Sequence, residues 1–188
     1  MQALESQRRA LFAQVPNLIT LARLLLVPIV IALIASENWV GAALGFAVAG
    51  VSDGVDGYIA RRFDLRSKLG AYLDAIADKA LLISIFVTLA LIRVVPPPLA
   101  ILVVSRDVMI MGAVMISLLL EKPVEIKPLF ISKLNTTVQI LFATLVLGAK
   151  AFAFPLGMWF HVFIYAVAIL TLASALAYLA RWLRHMAD

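Results

Sequence analysis

Four aspartates, Asp53, Asp56, Asp74 and Asp78, stand within 26 residues of an otherwise apolar chain. The first two are three apart and the last two four apart. On a helix each pair therefore shares a face and points as a unit. Carboxylates alone, without histidine or cysteine beside them, are a ligand set for hard divalent cations such as Mg²⁺ or Mn²⁺. Two such ions would neutralise the cluster and, with open positions, attract phosphate oxygens. The neighbouring residues fit a phosphate ligand. Gly57 lets a bulky group approach the backbone, and Ala60 keeps the next turn small. Arg61 offers a planar fork of donors, and Gly70 opens the facing wall. A plainer reading is that the acids only form ion pairs with Arg61, Arg62, Lys68 and Lys79. Asp64 falls outside the pattern and reads as a solvated loop charge.

The elements that must carry these residues are membrane helices. Apolar residues make up 64% of the chain and charged ones 14%, against about 45–50% and about 25% in soluble proteins. The mean hydropathy is +1.04. These values predict an all-α integral membrane protein. Six segments reach the ~20 apolar residues that a bilayer crossing needs: 17–36, 39–62, 70–93, 97–120, 130–150 and 155–183. Residues 1–15 read as a short amphipathic helix on the membrane surface or as a frayed tail, and not as a cleaved signal peptide. The whole of 1–188 reads as one domain without an internal repeat.

Basic residues set the orientation. Eleven of the sixteen Lys and Arg fall before the first span, in or beside the second and fourth joints, and at the end of the chain. The positive-inside rule then places both termini and the Arg61 joint in the cytoplasm. Net charge +5 accordingly reflects cytoplasmic loops and anionic headgroups rather than nucleic acid. At about 1.5 Å per residue, Asp53 lies roughly 12 Å inside Arg61 and Asp78 roughly 12 Å inside Gly70. Antiparallel neighbours would bring all four acids to one cytoplasm-facing cavity. In hydrocarbon each would be unfavourable by about 2.5–3.5 kcal/mol, so a functional cavity is the default reading. Arg23, Lys79 and Arg106 also fall inside spans. Gly41 and Gly45 make a small-xxx-small step able to seat a neighbouring helix.

Asp53-x-x-Asp56-Gly57-x-x-Ala60-Arg61, eight residues, Gly70, three residues, Asp74, three residues, Asp78 resembles the signature of the CDP-alcohol phosphotransferases at every defining position. The stretch Pro16 to Arg23, "PNLITLAR", is similar to that family's first span. The resemblance implies a homodimeric membrane enzyme that moves a phosphatidyl group from CDP-diacylglycerol to an alcohol and releases CMP. It implies two divalent cations, Mg²⁺ or Mn²⁺, held by Asp53, Asp56, Asp74 and Asp78, with Asp78 as general base. Asn17, Asp56, Gly57, Ala60, Arg61 and Gly70 would contact the CDP moiety, although Asn17 also fits an ordinary helix cap. The implied location is a bacterial inner membrane with the site facing the cytoplasm, a mitochondrial inner membrane being the alternative.

Two further stretches bear on the acceptor alcohol. "SRDVMI", from Ser105, and "FISKLNTTVQ", from Phe130, most resemble the eukaryotic-type, CMP-forming cardiolipin synthases, whose acceptor is phosphatidylglycerol. Phosphatidylglycerophosphate synthases, which use glycerol 3-phosphate, share the core signature and are the alternative. Either acceptor carries a phosphate, and Arg106 and Lys133 are the cations to meet it. Lys133 also fits simple membrane topology, and Arg106 could pair with Asp107 instead. From a different class, a divalent-cation or proton-coupled transporter would use the carboxylates as its ion site. Such sites usually lie at the midplane between inverted repeats, a pattern this chain lacks.

Overall fold

The computed structural model describes the backbone of residues 2–62, 68–120 and 129–187, and the side chains of residues 18–55, 76–117, 119–120 and 129–186. Six helices fill these stretches: α1 (Gln2–Ala35), α2 (Trp39–Arg62), α3 (Lys68–Leu91), α4 (Pro97–Leu119), α5 (Phe130–Ala151) and α6 (Gly157–Ala187). No strand occurs among the described residues. Four stretches are long and apolar enough to cross a bilayer: Leu18–Ala35, Pro97–Ser117, Phe130–Ala151 and Gly157–Met186. Only 17–33% of each is buried inside the protein. Leu21, Leu25, Ile29, Met115 and Ile169 face outward, as lipid-covered side chains do.

One element differs from the reading of the sequence. α1 runs unbroken through Pro16, so the surface helix expected over 1–15 and the first span are a single helix. Residues 2–15 contain no glycine and are rich in Ala, Leu, Gln and Arg, all strong helix formers that carry the turn pattern through.

Three helix ends share one device. After α1, the Asn38 N–H donates to the Leu33 carbonyl at 2.9 Å and the Glu37 N–H to the Ile34 carbonyl at 3.0 Å. After α3, the Val94 N–H donates to the Leu89 carbonyl at 2.9 Å and the Arg93 N–H to the Ala90 carbonyl at 3.1 Å. Both are Schellman closures, with Glu37 (φ 58°) and Arg93 (φ 61°) in the left-handed position that glycine usually takes. Ala153 (φ 53°) follows α5 in the same way, with the Phe154 N–H donating to the Ala149 carbonyl. The Asn38 carboxamide oxygen then accepts the Gly41 N–H at 3.0 Å and caps α2. The turn between α1 and α2 is thereby tight and closed on both sides.

The chain divides within α3 into two compact units, Met1–Ile85 and Phe86–Asp188. In the first, α1 buries Thr20, Arg23, Val27, Val30 and Ile34, and α2 buries Ala42, Phe46 and Ala49. Each set recurs every three or four residues and forms one stripe. The stripes meet closely where α2 is small: a Cβ built on Gly45 would lie 2.9 Å from Val30 Cγ2. Val30 is fully buried and β-branched, so it has little freedom to give way.

The second unit is organised on two clusters. Phe142 of α5 lies 6.0 Å, 5.8 Å and 6.2 Å, centroid to centroid, from Phe86, Phe160 and Phe163. Aromatic pairs at such spacing contribute about 0.5–1.5 kcal/mol beyond area burial. The other cluster is polar. Arg106 of α4 is 3% exposed, and its guanidinium pairs with Asp107 and donates to Ser132 of α5 and to Ser174 of α6 at 2.8 Å. The Tyr178 ring stacks at 5.6 Å, within cation–π reach. Deeper along α5, Gln139 donates to the Thr171 hydroxyl at 3.2 Å, and Thr171 donates to Asn135 at 2.9 Å. Trp182 donates its indole N–H to Ser117 at 2.9 Å, tying α6 to α4.

Two outcomes follow from this packing. Gly45→Ala should lower stability by about 1–3 kcal/mol through overpacking, seen as a reduced melting temperature in detergent. Adding Val30→Ala should restore part of that loss. Asp107→Asn removes the counter-charge of a buried guanidinium and should be destabilising by about 3–5 kcal/mol. Ser174→Ala, which removes the oxygen that accepts from both Nε and Nη2 of Arg106, should be destabilising by about 1.5–3 kcal/mol or more in the same melting assay.

Candidate active site

The apolar stripe of α1 ends in a charge. Arg23 follows the register of Ile34, Val30 and Val27, and it is 2% exposed. α2 does the same from the opposite direction: Ala42, Phe46 and Ala49 lead at helical spacing to Asp53. The antiparallel register set at Gly45 against Val30 brings these two charged positions together about two turns further on. α3 contributes a third stripe, Ile85, Leu82 and Leu81, which leads to Asp78.

The three stripes converge on one nitrogen. Arg23 Nη1 lies 2.9 Å from Asp53 Oδ1 and 2.6 Å from Asp78 Oδ1. Charge-assisted N–H···O bonds at these lengths are about twice as strong as neutral ones. The partners differ in exposure. The Arg23 side chain is 1% exposed, whereas the Asp53 and Asp78 side chains are 44% and 47% exposed. The guanidinium is thus a buried floor beneath two carboxylates that open to one side. Ser52, the neighbour of Asp53, turns its hydroxyl back to the Val48 carbonyl at 2.7 Å and so remains with its own helix.

The donor set suits a cation. Two carboxylate oxygens from different helices already converge on positive charge, and oxygen donors are what Mg²⁺ and Mn²⁺ take. Asp53 and Asp78 therefore fit a divalent ion by chemistry and by approach. Among the described residues no third acidic, histidine or cysteine side chain joins them. Asp56, Gly57, Ala60 and Arg61 lie on α2, Gly70 and Asp74 on α3, and Asn17 on α1. The side chains of all seven are outside the described residues.

The two acceptor candidates belong to the second unit. The sequence leaves Arg106 a choice between Asp107 and an open cavity; in the structure its partners are Asp107, Ser132 and Ser174, with Tyr178 over its face. Lys133 sits in the first turn of α5 and is exposed. Arg23 is the residue the aspartate pattern misses. Its signal was a lone guanidinium inside an apolar span, which in hydrocarbon requires a counter-charge. Ser132 and Ser174, the hydroxyls that hold Arg106, carry no comparable signal, since serines are ordinary in membrane helices.

Residues 13–183 match the CDP-alcohol phosphatidyltransferase family. The CMP-forming cardiolipin synthase of Rattus norvegicus is 34% identical over 181 residues, which take in 87% of this chain and 60% of that protein. Its Homo sapiens counterpart is 35% identical over the same shares. The CDP-diacylglycerol–glycerol-3-phosphate 3-phosphatidyltransferase of Rickettsia typhi is 29% identical over 168 residues, 87% of this chain and 93% of that protein. The chain thus spans about three fifths of the rat and human proteins and nearly all of the rickettsial one. The family match takes in Arg23, Asp53 and Asp78 together with nearly all of both units, and the chain belongs to the CDP-alcohol phosphatidyltransferase family.

Proposed function

We propose that this protein is a metal-dependent cardiolipin synthase. It transfers the phosphatidyl group of CDP-diacylglycerol to the free glycerol hydroxyl of phosphatidylglycerol and releases CMP. The observation that carries this reading is the convergence of Asp53 and Asp78, from separate helices, on one point of positive charge inside an apolar bundle. Similarity to the rat and human CMP-forming cardiolipin synthases supports the choice of acceptor.

In this reading all six helices cross the membrane, and the protein is a homodimer with its site facing the cytoplasm. Asp53, Asp56, Asp74 and Asp78 hold two divalent cations, Mg²⁺ or Mn²⁺. When bound, these supply charge neutralisation for the diphosphate and for departing CMP. Gly57, Ala60, Arg61, Gly70 and Asn17 bind the CDP moiety. Asp78 takes the proton from the acceptor hydroxyl as that oxygen attacks the lipid-side phosphorus. The bond from phosphorus to the CMP oxygen breaks in the same displacement. Little covalent chemistry falls to the protein, whose contribution is positioning and electrostatics. Arg106 and Lys133 are assigned to the phosphate of the acceptor. For Arg106, that phosphate would have to compete with Asp107 for the guanidinium.

A second reading, phosphatidylglycerophosphate synthesis from glycerol 3-phosphate, is favoured by one observation. The rickettsial relative with that activity in its name is matched over 93% of its length. Purified protein given CDP-diacylglycerol and Mg²⁺ with each acceptor in turn separates the two. Cardiolipin from phosphatidylglycerol is the expected product, and product from glycerol 3-phosphate alone would replace the first reading by the second. Asp78→Asn should lower turnover by a factor of about 10²–10⁴, the usual contribution of a general base, while CDP-diacylglycerol binding stays within a few-fold of wild type. Turnover near the wild-type rate would remove Asp78 from that role.

A further inference from the structure

The aspartates of this site have a resident partner that the proposed reaction does not use. Arg23 is almost completely buried, yet it spends one nitrogen on two carboxylates that are each about half exposed. A guanidinium that served only to anchor helices would be expected to meet buried partners, as Arg106 does with Asp107, Ser132 and Ser174. Arg23 bonds two carboxylates that keep nearly half their surface exposed, where a cation would approach.

We propose that Arg23 is the built-in counter-cation of the carboxylate site. It is a positioning residue that holds Asp53 and Asp78 together before a metal arrives, and it limits how tightly that metal is held. The inference rests on the metal-dependent reading given above. Its physical basis is that Nη1 and a divalent ion draw on the same carboxylates. With Arg23 in place, the two acids from α2 and α3 are kept in register at 2.9 Å and 2.6 Å from one atom, and their mutual repulsion is offset. The same positive charge repels an incoming ion. Coulomb repulsion between that charge and a divalent ion held by the same carboxylates would oppose binding even where water screens it. The site is thereby pre-formed and its affinity moderated, which suits an ion that must bind and release with each diphosphate substrate.

The direction of the effect separates this role from a purely structural one. Removing a structural residue loosens the carboxylates and weakens cation binding; removing a competing charge tightens it. Mn²⁺ titration of the purified full-length protein in detergent, followed by the paramagnetic resonance signal of free Mn²⁺, gives the dissociation constant directly. Arg23→Gln should bind Mn²⁺ about tenfold or more tightly than wild type. Arg23→Lys, which keeps the charge, should stay within about threefold. In chelator, Arg23→Gln should melt below wild type, and saturating Mn²⁺ should narrow the gap.

Unchanged or weaker Mn²⁺ binding in folded Arg23→Gln would overturn the proposal while leaving the metal-dependent reading intact. Wild-type protein that binds no Mn²⁺ would overturn both. Should Arg23→Gln fail to fold, wild-type protein with ¹⁵N-labelled arginine provides the decision. Saturating Mg²⁺ should shift the Arg23 guanidinium resonance, identified by its loss in Arg23→Lys, and an unshifted resonance would overturn the proposal.

Discussion

A charge in an apolar bundle has to be met by an opposite charge, and the first unit is organised by that demand. Arg23 on α1 cannot remain buried without a counter-ion, because the solvation lost on burial is large compared with the net stability of a folded protein. Its partners come from two other helices, Asp53 on α2 and Asp78 on α3. Satisfying one guanidinium therefore sets the relative height of three helices at once. The same contact places two carboxylates side by side, which their own repulsion would otherwise resist. The contact that stabilises the three helices and the carboxylates proposed for the chemistry are thus a single set of atoms.

Apolar packing brings the charges to that point. The stripes on α1 and α2 are in register because Gly45 admits Val30 so closely, and the Schellman closure at Glu37 with the Asn38 cap fixes how α2 leaves α1. Arg23 and Asp53 lie about two turns from the Gly45 contact on their respective helices. A closed turn at one end and a charged contact nearer the other leave the pair little freedom to slide. The outward faces of α1 and of the second unit's helices carry the leucines, isoleucines and methionines expected of lipid contact.

Much of this was legible in the residues, and the limits have physical reasons. Helix positions followed from runs of about twenty mostly apolar residues, and α2 begins and ends where the pattern places it, at Trp39 and Arg62. The small-xxx-small step at Gly41 and Gly45 likewise marked the face that α1 meets. The pairing of Arg23 was not legible, because partners 30 and 55 residues away are joined only by tertiary packing. For Arg106 the alternatives were named, a bond to Asp107 or a reach into a cavity. The hydroxyls that hold Arg106 beside Asp107, Ser132 and Ser174 arriving from α5 and α6, leave no trace in a one-dimensional pattern. The continuity of α1 through Pro16 was missed because residues 1–15 were read as a separate surface helix, although membrane helices accommodate proline.

The two buried arginines show how similar residues in similar settings come to different ends. Each sits in a helix of high hydropathy and each has a carboxylate partner. The environment of Arg106 is closed: Asp107 is itself 3% exposed, and two hydroxyls and an aromatic ring complete the shell. A group entering that shell would have to break a dry ion pair, which the low local dielectric strengthens. The environment of Arg23 is open on one side, since both of its acids keep nearly half their surface. Charge that is shared and partly solvated can be exchanged for other charge at little loss, because water and an incoming ion can compensate the carboxylates as the guanidinium does. By that criterion the carboxylates around Arg23 exchange charge more readily than the Arg106 cluster, whose bonds join α4, α5 and α6.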